Sequence, residues 1–268
     1  MSLPILTYHA VETAPQEPEA LPPNQRLYLA KRDLFEAQMR YLAEQRFRTM
    51  LVDELIMVAQ GQAPLPERAI CLTFDDGSAS DYLAVFPILK GHDLRATFFV
   101  VTDRVGTPGY VTWDQLREMS VHGMSVQSHS RTHPFMSQCT PAELRAELHL
   151  SKDAIERHLG KAVEVFAVPG GDWNERCRLA AKECGYRAVC TSKPGVNARK
   201  LELDKLERLS VRRADALEQF VSFVTLDRRV LLEYRAKETF LRLAKRGMGL
   251  NRYNRLRAWL LSKQAHQG

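Results

Sequence analysis

Two rhythms of apolar residues alternate along the chain. Short unbroken runs such as Ala69-Ile70-Cys71-Leu72, Ala96-Thr97-Phe98-Phe99-Val100-Val101 and the segment from Val163 to Val168 have the length and the β-branched or aromatic content of buried strands. Between them, apolar residues recur every three or four positions, as at Leu34, Phe35, Met39 and Leu42 behind Asp33, which predicts helices with one apolar face. Leu3 to Tyr8 reads as the first strand and ends at His9, whereas the proline-rich piece from Pro15 to Pro23 supports neither ladder nor helix and is a loop. Asp53 is placed to cap a short helix through Leu55 and Val58 towards Gly61, and Tyr82 to Lys90 is a predicted helix stopped by Gly91. Thr112-Trp113-Asp114-Gln115 has the form of a capping box for a helix ending near Gly123. Thr140-Pro141-Ala142-Glu143 adds proline at the first helical position, for a helix running to about His158. Ser125 to Ser128 is then a strand that delivers His129. Asn174 to Cys184 is a helix ended by Gly185, and Arg187 to Thr191 and Leu209 to Val211 are two more short strands.

Strands and helices in this alternation predict parallel βα units forming an open sheet or a barrel, with functional residues just after the strands. From about Leu226 the pattern changes to helical residues rich in cations, among them Arg228, Arg229, Arg235, Lys237, Arg242, Lys245 and Arg246. Leu231, Leu232, Phe240, Leu241, Trp259 and Leu260 supply an apolar face. The expected division is a catalytic domain over 1–225 and a basic helical tail over 226–268.

A hydrophobic share of 45% and a charged share of 26% are those of a soluble globular chain, not a disordered one. No run approaches the roughly 20 apolar residues of a spanning helix. The start, Met1-Ser2-Leu3-Pro4, lacks the regions of a secretory signal, so a cytoplasmic location is the expectation. Five cysteines without a Cys-x-x-Cys pair argue against a disulfide framework and against a thiolate metal site. The formal charge of +6 is concentrated in the tail, while the motif region is mixed in sign, and no nucleic-acid partner is expected. The tail has two readings. It is either an interfacial helix drawn to anionic lipid at the inner face of a membrane, or ordinary structure that packs its leucines on the barrel.

The stretch Thr73-Phe74-Asp75-Asp76-Gly77 puts two carboxylates at the end of a buried strand, where charge needs a cation beside it. Further along, Val126 to His133 supplies His129 and His133 after another short apolar run. One carboxylate and two imidazoles are the protein ligands of a hydrolytic metal site that keeps a position open for water. Asp76, His129 and His133 are therefore the expected ligands, and Asp75 the base that takes a proton from that water. Adjacent residues at a strand end point different ways, which lets the two aspartates divide the work, and Gly77 allows close approach of backbone and ligand. The Asp pair would equally suit a strand-to-helix turn in which Asp76 or Ser78 caps the next helix, and the same ligand set holds non-haem iron in oxygenases. The additional carboxylate favours hydrolysis. By ligand type the ion is zinc, with iron, cobalt or nickel as others such a set can hold.

Leu72 to Gly77, Ala96 to Val100, Thr112-Trp113-Asp114-Gln115-Leu116 and Ser128-His129-Ser130-Arg131-Thr132-His133-Pro134, in that order, resemble the polysaccharide deacetylase family, carbohydrate esterase family 4. Leu6-Thr7-Tyr8-His9-Ala10-Val11 resembles its bacterial exopolysaccharide branch. The resemblance implies an α/β fold, a distorted (β/α) barrel to which the tail adds a C-terminal helical extension. It also implies metal-dependent removal of acetyl groups from N-acetylated sugars of a polysaccharide or lipid-linked glycan. By motif position it makes Asp75 the base and Asp76, His129 and His133 the metal ligands. The family's Arg-x-Pro-x-Gly motif falls on Ala167-Val168-Pro169-Gly170-Gly171, so the Gly170 N–H is implied to help hold the oxyanion. Two positions depart from the pattern. Ala167 stands where an arginine usually pairs with the catalytic aspartate, so the cation beside Asp75 must come from elsewhere or be missing. The late Leu-x-His motif falls near Leu209-Ser210-Val211, which has no histidine.

Amide cleavage needs a proton for the departing amine. His9 is one candidate donor, and Asp75, having just accepted a proton, is the other. Trp173, with Asp172, follows the Pro-Gly-Gly turn as a candidate sugar platform, while Trp113 at a helix start suits packing. Arg131, between the histidines, is a candidate for binding an anionic substituent. The two lost motif residues also admit a catalytically impaired relative that binds glycan or scaffolds a biosynthetic complex, and the barrel admits hydrolysis of a different amide.

Overall fold

The computed structural model describes residues 2–14, 26–198 and 200–248, with side chains as far as Leu241. In chain order the elements are β1 (Ile5–Tyr8), β2 (Ala10–Val11), β3 (Leu29–Ala30), α1 (Arg32–Glu44), β4 (Arg48–Met50), α2 (Glu54–Ala59) and β5 (Ala69–Asp76). There follow α3 (Phe86–Gly91), β6 (Thr97–Val100), α4 (Trp113–Val121), β7 (Ser125–Ser128), α5 (Pro141–Leu159), β8 (Val165–Ala167), α6 (Glu175–Glu183), β9 (Ala188–Pro194), β10 (Leu206–Ser210), α7 (Leu217–Val224) and α8 (Arg228–Met248). The strands pair in parallel in the order β1, β10, β9, β8, β7, β6, β5, and β5 pairs back onto β1. The sheet therefore closes into the expected (β/α) barrel. β4 adds in parallel to the first residues of β5, with Arg48 opposite Ala69, and β2 and β3 form a small separate pair.

Because side chains alternate along a strand, parity sorts the core into two layers. Ile5 on β1, Cys71 on β5, Phe99 on β6, Val165 and Ala167 on β8, Cys190 on β9 and Leu206 on β10 share one cluster inside the barrel. Leu6 and Tyr8, Leu72 and Phe74, Phe98 and Val100, Phe166 and Leu209 take the other parity and pack outward against the helices. The two layers explain why the strands read as unbroken apolar runs, since both faces are covered.

Helix starts follow the predicted chemistry at two places and depart from it at a third. Thr112 and Gln115 form a reciprocal capping box at α4, and Thr140 and Glu143 do so at α5, which ends on Gly160 at φ 64°. Asp53 does not cap α2. Its backbone is already helical, its side chain makes no cap bond, and Glu54 instead accepts from the Leu51 N–H at 2.9 Å. The predicted helix from Tyr82 starts with a π-helical turn, Asp81–Val85, before α3. The last barrel strand starts earlier than the expected Leu209, at Leu206, and so includes Arg208.

The first part of the basic tail is docked on the barrel. Leu231, Tyr234 and Leu241 of α8 are buried, the Tyr234 hydroxyl accepts from the Ser210 N–H at 3.0 Å, and Arg212 meets Glu238 at 2.6 Å. Leu232 and Phe240 face outward, and the stretch beyond Met248, with Trp259 and Leu260, lies outside the described residues. Among the described residues no helix is long and apolar enough to cross a membrane. Arg212 is only 8% exposed, so Glu238→Ala strands a buried guanidinium. The substitution is expected to cost about 3 kcal/mol, read as a lower denaturation midpoint, and to open α8 to limited proteolysis.

Candidate active site

Asp75 shares the parity of Cys71 and Thr73 and points into the barrel interior, where it is 3% exposed. Its cation is Arg208 on β10. Nη1 donates to Oδ1 at 2.7 Å and Nη2 to Oδ2 at 2.8 Å, a fork-to-fork pair. The guanidinium is held in turn, with Nε donating to the Thr191 carbonyl at 3.0 Å and its carbon lying 5.7 Å from the Phe99 ring centre. Thus the charge absent at Ala167 on β8 is supplied from another strand of the same interior. Burial alone would push the Asp75 carboxyl up, but Arg208, with His129 and His9, holds it well below the usual carboxylate range. With its folded value depressed, the pair's contribution to stability is complete above the unfolded carboxyl's range. It is lost only as pH falls through the lower folded value. Arg208 escaped sequence reasoning because the predicted strand began one residue after it. A lone charge between Leu206 and Ser210 at interior parity was the available signal.

Asp76 ends β5 with φ 78° and turns away from its neighbour. Its Oδ1 lies 3.4 Å from His133 Nε2 and 3.7 Å from His129 Nε2, and the three ligand atoms lie within 4.8 Å of one another. Donors held ~2.0–2.1 Å from a tetrahedral cation are about 3.3–3.4 Å apart, a separation that the Asp76–His133 pair meets and the Asp76–His129 pair approaches. Two further observations agree with a cation. Asp76 Oδ1 is buried without a hydrogen-bond partner, and His129 Nδ1 lies 2.9 Å from the Ala167 carbonyl, an acceptor that fixes Nδ1 as the donor and turns the Nε2 lone pair toward Asp76. Ser130 and His133 also sit in the left-handed region, both at φ 68°, and the His133 N–H donates to Ser130 Oγ at 3.0 Å. Strained backbone at both ligand loops is held by the surrounding bonds.

The other predicted residues divide. His9 follows β1 at the interior parity of Ile5 and Thr7, and its buried Nδ1 has no hydrogen-bond partner among the described residues. Burial lowers its pKa, the charges of Asp76 and Asp75 oppose that, and Arg208 and His129 reinforce it. Gly170 lies in the 3-10 turn Pro169–Gly171 at φ 57°, beside the rim residue Phe135. Trp173 is half-buried with its ring 6.2 Å from Phe166, and both oxygens of Asp172 accept from Ser137, at 2.7 Å each. That pair ties two loops together. Trp113 stacks on His158 at 4.1 Å. Arg131 is turned aside, its Nε donating to Asp103 at 3.1 Å and its backbone N–H to Glu147.

Two groups besides Arg208 went unnoticed in the sequence. Arg104 brings Nη1 to 3.6 Å from Asp76 Oδ1. Asp81 is 1% exposed with neither oxygen bonded among the described residues, and burial, then the charges of Asp76 and Asp75, push its pKa well up. Only the three-dimensional path of the loops brings either group to the Asp76 side.

Known proteins bear on the same residues. The family described as polysaccharide deacetylase matches residues 62–189. "Putative polysaccharide deacetylase YxkH" of Bacillus subtilis (strain 168) is 30% identical over 210 residues, covering 78% of this chain and 71% of that protein. The poly-beta-1,6-N-acetyl-D-glucosamine N-deacetylase of Escherichia coli (strain K12) is 25% identical over 74% of this chain, which spans 36% of that longer protein. Among solved structures, the Streptococcus pyogenes deacetylase PplD in complex with acetate superposes with a TM-score of 0.76 at 26% identity, covering 84% of this chain and 98% of that one. A polysaccharide deacetylase from Bacillus cereus gives 0.73 at 26% identity, over 84% and 69%. With the barrel, the paired aspartates and the converging histidines all in place, the chain belongs to the polysaccharide deacetylase family.

Proposed function

We propose that this chain is a metal-dependent N-deacetylase acting on N-acetylated sugars of a glycan. The observation that carries the reading is the division of the aspartate pair: Asp76 converges with His129 and His133, while Asp75 stays apart, ionised against Arg208. Relatives named for poly-beta-1,6-N-acetyl-D-glucosamine support an exopolysaccharide-type substrate. Asp76, His129 and His133 would hold a divalent ion, zinc by donor type, and when bound it supplies Lewis acidity toward water and the acetyl carbonyl.

The protein's own groups do the rest. Asp75 takes the proton of the attacking water, and because Arg208 already occupies both its oxygens it is a weak base suited to an acidified water. The Gly170 N–H donates to the oxygen on which negative charge develops. His9, its pKa lowered by burial, is neutral at rest, so it must gain a proton before acting as an acid. Asp75 hands the proton it has taken to His9, which then protonates the departing amine. Arg208 also weakens the case for an inactive scaffold, since one of the two missing motif functions is supplied from β10.

Acetate release from an N-acetylglucosamine oligomer is expected to stop with a chelator, to return with zinc, and to vanish in Asp75→Asn. His9→Ala is expected to lower kcat by about 10²–10⁴. Glycan binding without acetate release would favour the scaffold, and release that survives chelation would end the metal-dependent reading. Arg208→Met leaves a buried carboxylate unpaired and is expected to cost about 3–5 kcal/mol in denaturant unfolding as well as activity. An unchanged midpoint would show that the pair does not hold the site. The exposed Leu232 and Phe240 on α8, beside Arg228, Arg229 and Arg235, support peripheral contact with anionic membrane. Pelleting with anionic vesicles is expected, and Leu232→Glu/Phe240→Glu should abolish it. Equal pelleting by the variant would remove the proposed contact.

A further inference from the structure

Arg104 ends the short 3-10 turn Thr102–Arg104 that follows β6, between the two loops that carry the converging ligands. On one side, the Thr102 and Asp103 N–H groups donate to the carbonyls of Ser130 and Arg131 in the histidine loop. On the other, the Val111 N–H donates to the Gly77 carbonyl and Ser78 bridges Tyr110, which binds the segment after Arg104 to the Asp-Asp-Gly turn. The guanidinium carbon lies 5.4 Å from the centre of the Tyr110 ring, a contact that helps hold the side chain beside Asp76. Its side chain is 33% exposed, and its one ion-pair partner among the described residues is Asp76.

The charges around the mouth make that placement consequential. Asp75 is cancelled by Arg208, both sealed inside the barrel. Among the described residues Asp76 is the carboxylate that meets both imidazoles, and Arg104 already offsets it. Asp76, His129 and His133 would hold a divalent ion, and with the Asp76 carboxylate so engaged the Arg104 guanidinium would be left with a positive excess beside it. Arg131, the arginine singled out in sequence, is not available in the same way, because Asp103 already accepts from it at 3.1 Å.

We propose that Arg104 is a specificity-determining residue that receives an anionic oxygen group, a phosphate or a carboxylate, carried on the glycan close to the acetamido sugar. A planar guanidinium at a partly open mouth matches either group by paired N–H donors. The inference rests on the deacetylase reading for the identity of the sugar, but the charge preference is a property of the mouth and is measurable without turnover.

The test compares binding of three ligands to the zinc-loaded full chain by calorimetry: a neutral N-acetylglucosamine oligomer, one of the same length bearing a 6-phosphate, and one in which a sugar carries a carboxylate, as in N-acetylmuramic acid. Wild-type protein is expected to prefer at least one charged ligand over the neutral one by about tenfold. Arg104→Gln is expected to bring that ratio near one, Arg104→Lys to retain part of it, and added salt to shrink it in the wild type. Which charged arm shows the preference distinguishes phosphate from carboxylate. Zinc binding, measured in the same variants, should tighten in Arg104→Gln because a cation beside Asp76 has gone, and the ratios are taken at zinc saturation. A wild-type ratio near one for both charged ligands, or a ratio that survives Arg104→Gln, overturns the proposal. If the ratio behaves as expected while acetate is released from none of the three, the anion site stands and the deacetylase reading is the one that fails.

Discussion

A carboxylate closed into the interior of a barrel stays ionised only where a cation meets it, and in this protein that requirement falls on Arg208. The pair joins β5 to β10 through β1, the strand that closes the barrel between them, so the site depends on that closure being in register. A slip of one residue in β10 would turn Arg208 outward among the helices and leave Asp75 alone inside. The guanidinium is also bonded to β9 and lies over a β6 ring, so its position is set by four strands at once. The fold's contribution to chemistry is thereby concrete: it places one aspartate where it remains a charged, immobile acceptor.

The neighbouring aspartate faces a different environment for a local reason. Asp76 adopts a left-handed backbone at the strand end and Gly77 follows at φ 74°, where a Cβ would lie 3.2 Å from Val100 Cγ1. The chain turns sharply there, and the Asp76 carboxylate emerges on the side of the histidine loop. That loop has its own left-handed residues, Ser130 and His133, so both loops that carry ligands make strained turns anchored on regular strands. Arg104 and the buried Asp81, whose carboxyl pKa burial pushes well up, complete the Asp76 side, which shows that the electrostatics of the site are not exhausted by the three converging ligands.

Much of this was legible in the chain because it is local. The unbroken apolar run before Asp75, the capping boxes at Thr112 and Thr140, and the spacing of His129 and His133 each express a rule that acts within a few residues. The partner of Asp75 lies 133 positions away and is identified only when the barrel is closed, so the loss at Ala167 was visible while its replacement was not. The same limit governs the arginines. Arg131 lies between the histidines in sequence, yet Asp103 draws it aside, and Arg104 reaches the pocket because its turn is bonded to both ligand loops. Trp173 shows the converse, since an aromatic residue after a turn can pack on Phe166 as readily as face a sugar.

Moving the charge tests the account most directly. Position 167 and position 208 both present side chains to the barrel interior, so Ala167→Arg can be combined with Arg208→Met, and acetate release and the denaturation midpoint compared with those of Arg208→Met alone. If a guanidinium beside Asp75 is what the site requires, the double variant regains a substantial part of both quantities that the single variant loses. A double variant no better than the single one, or a single variant indistinguishable from wild type, would contradict it.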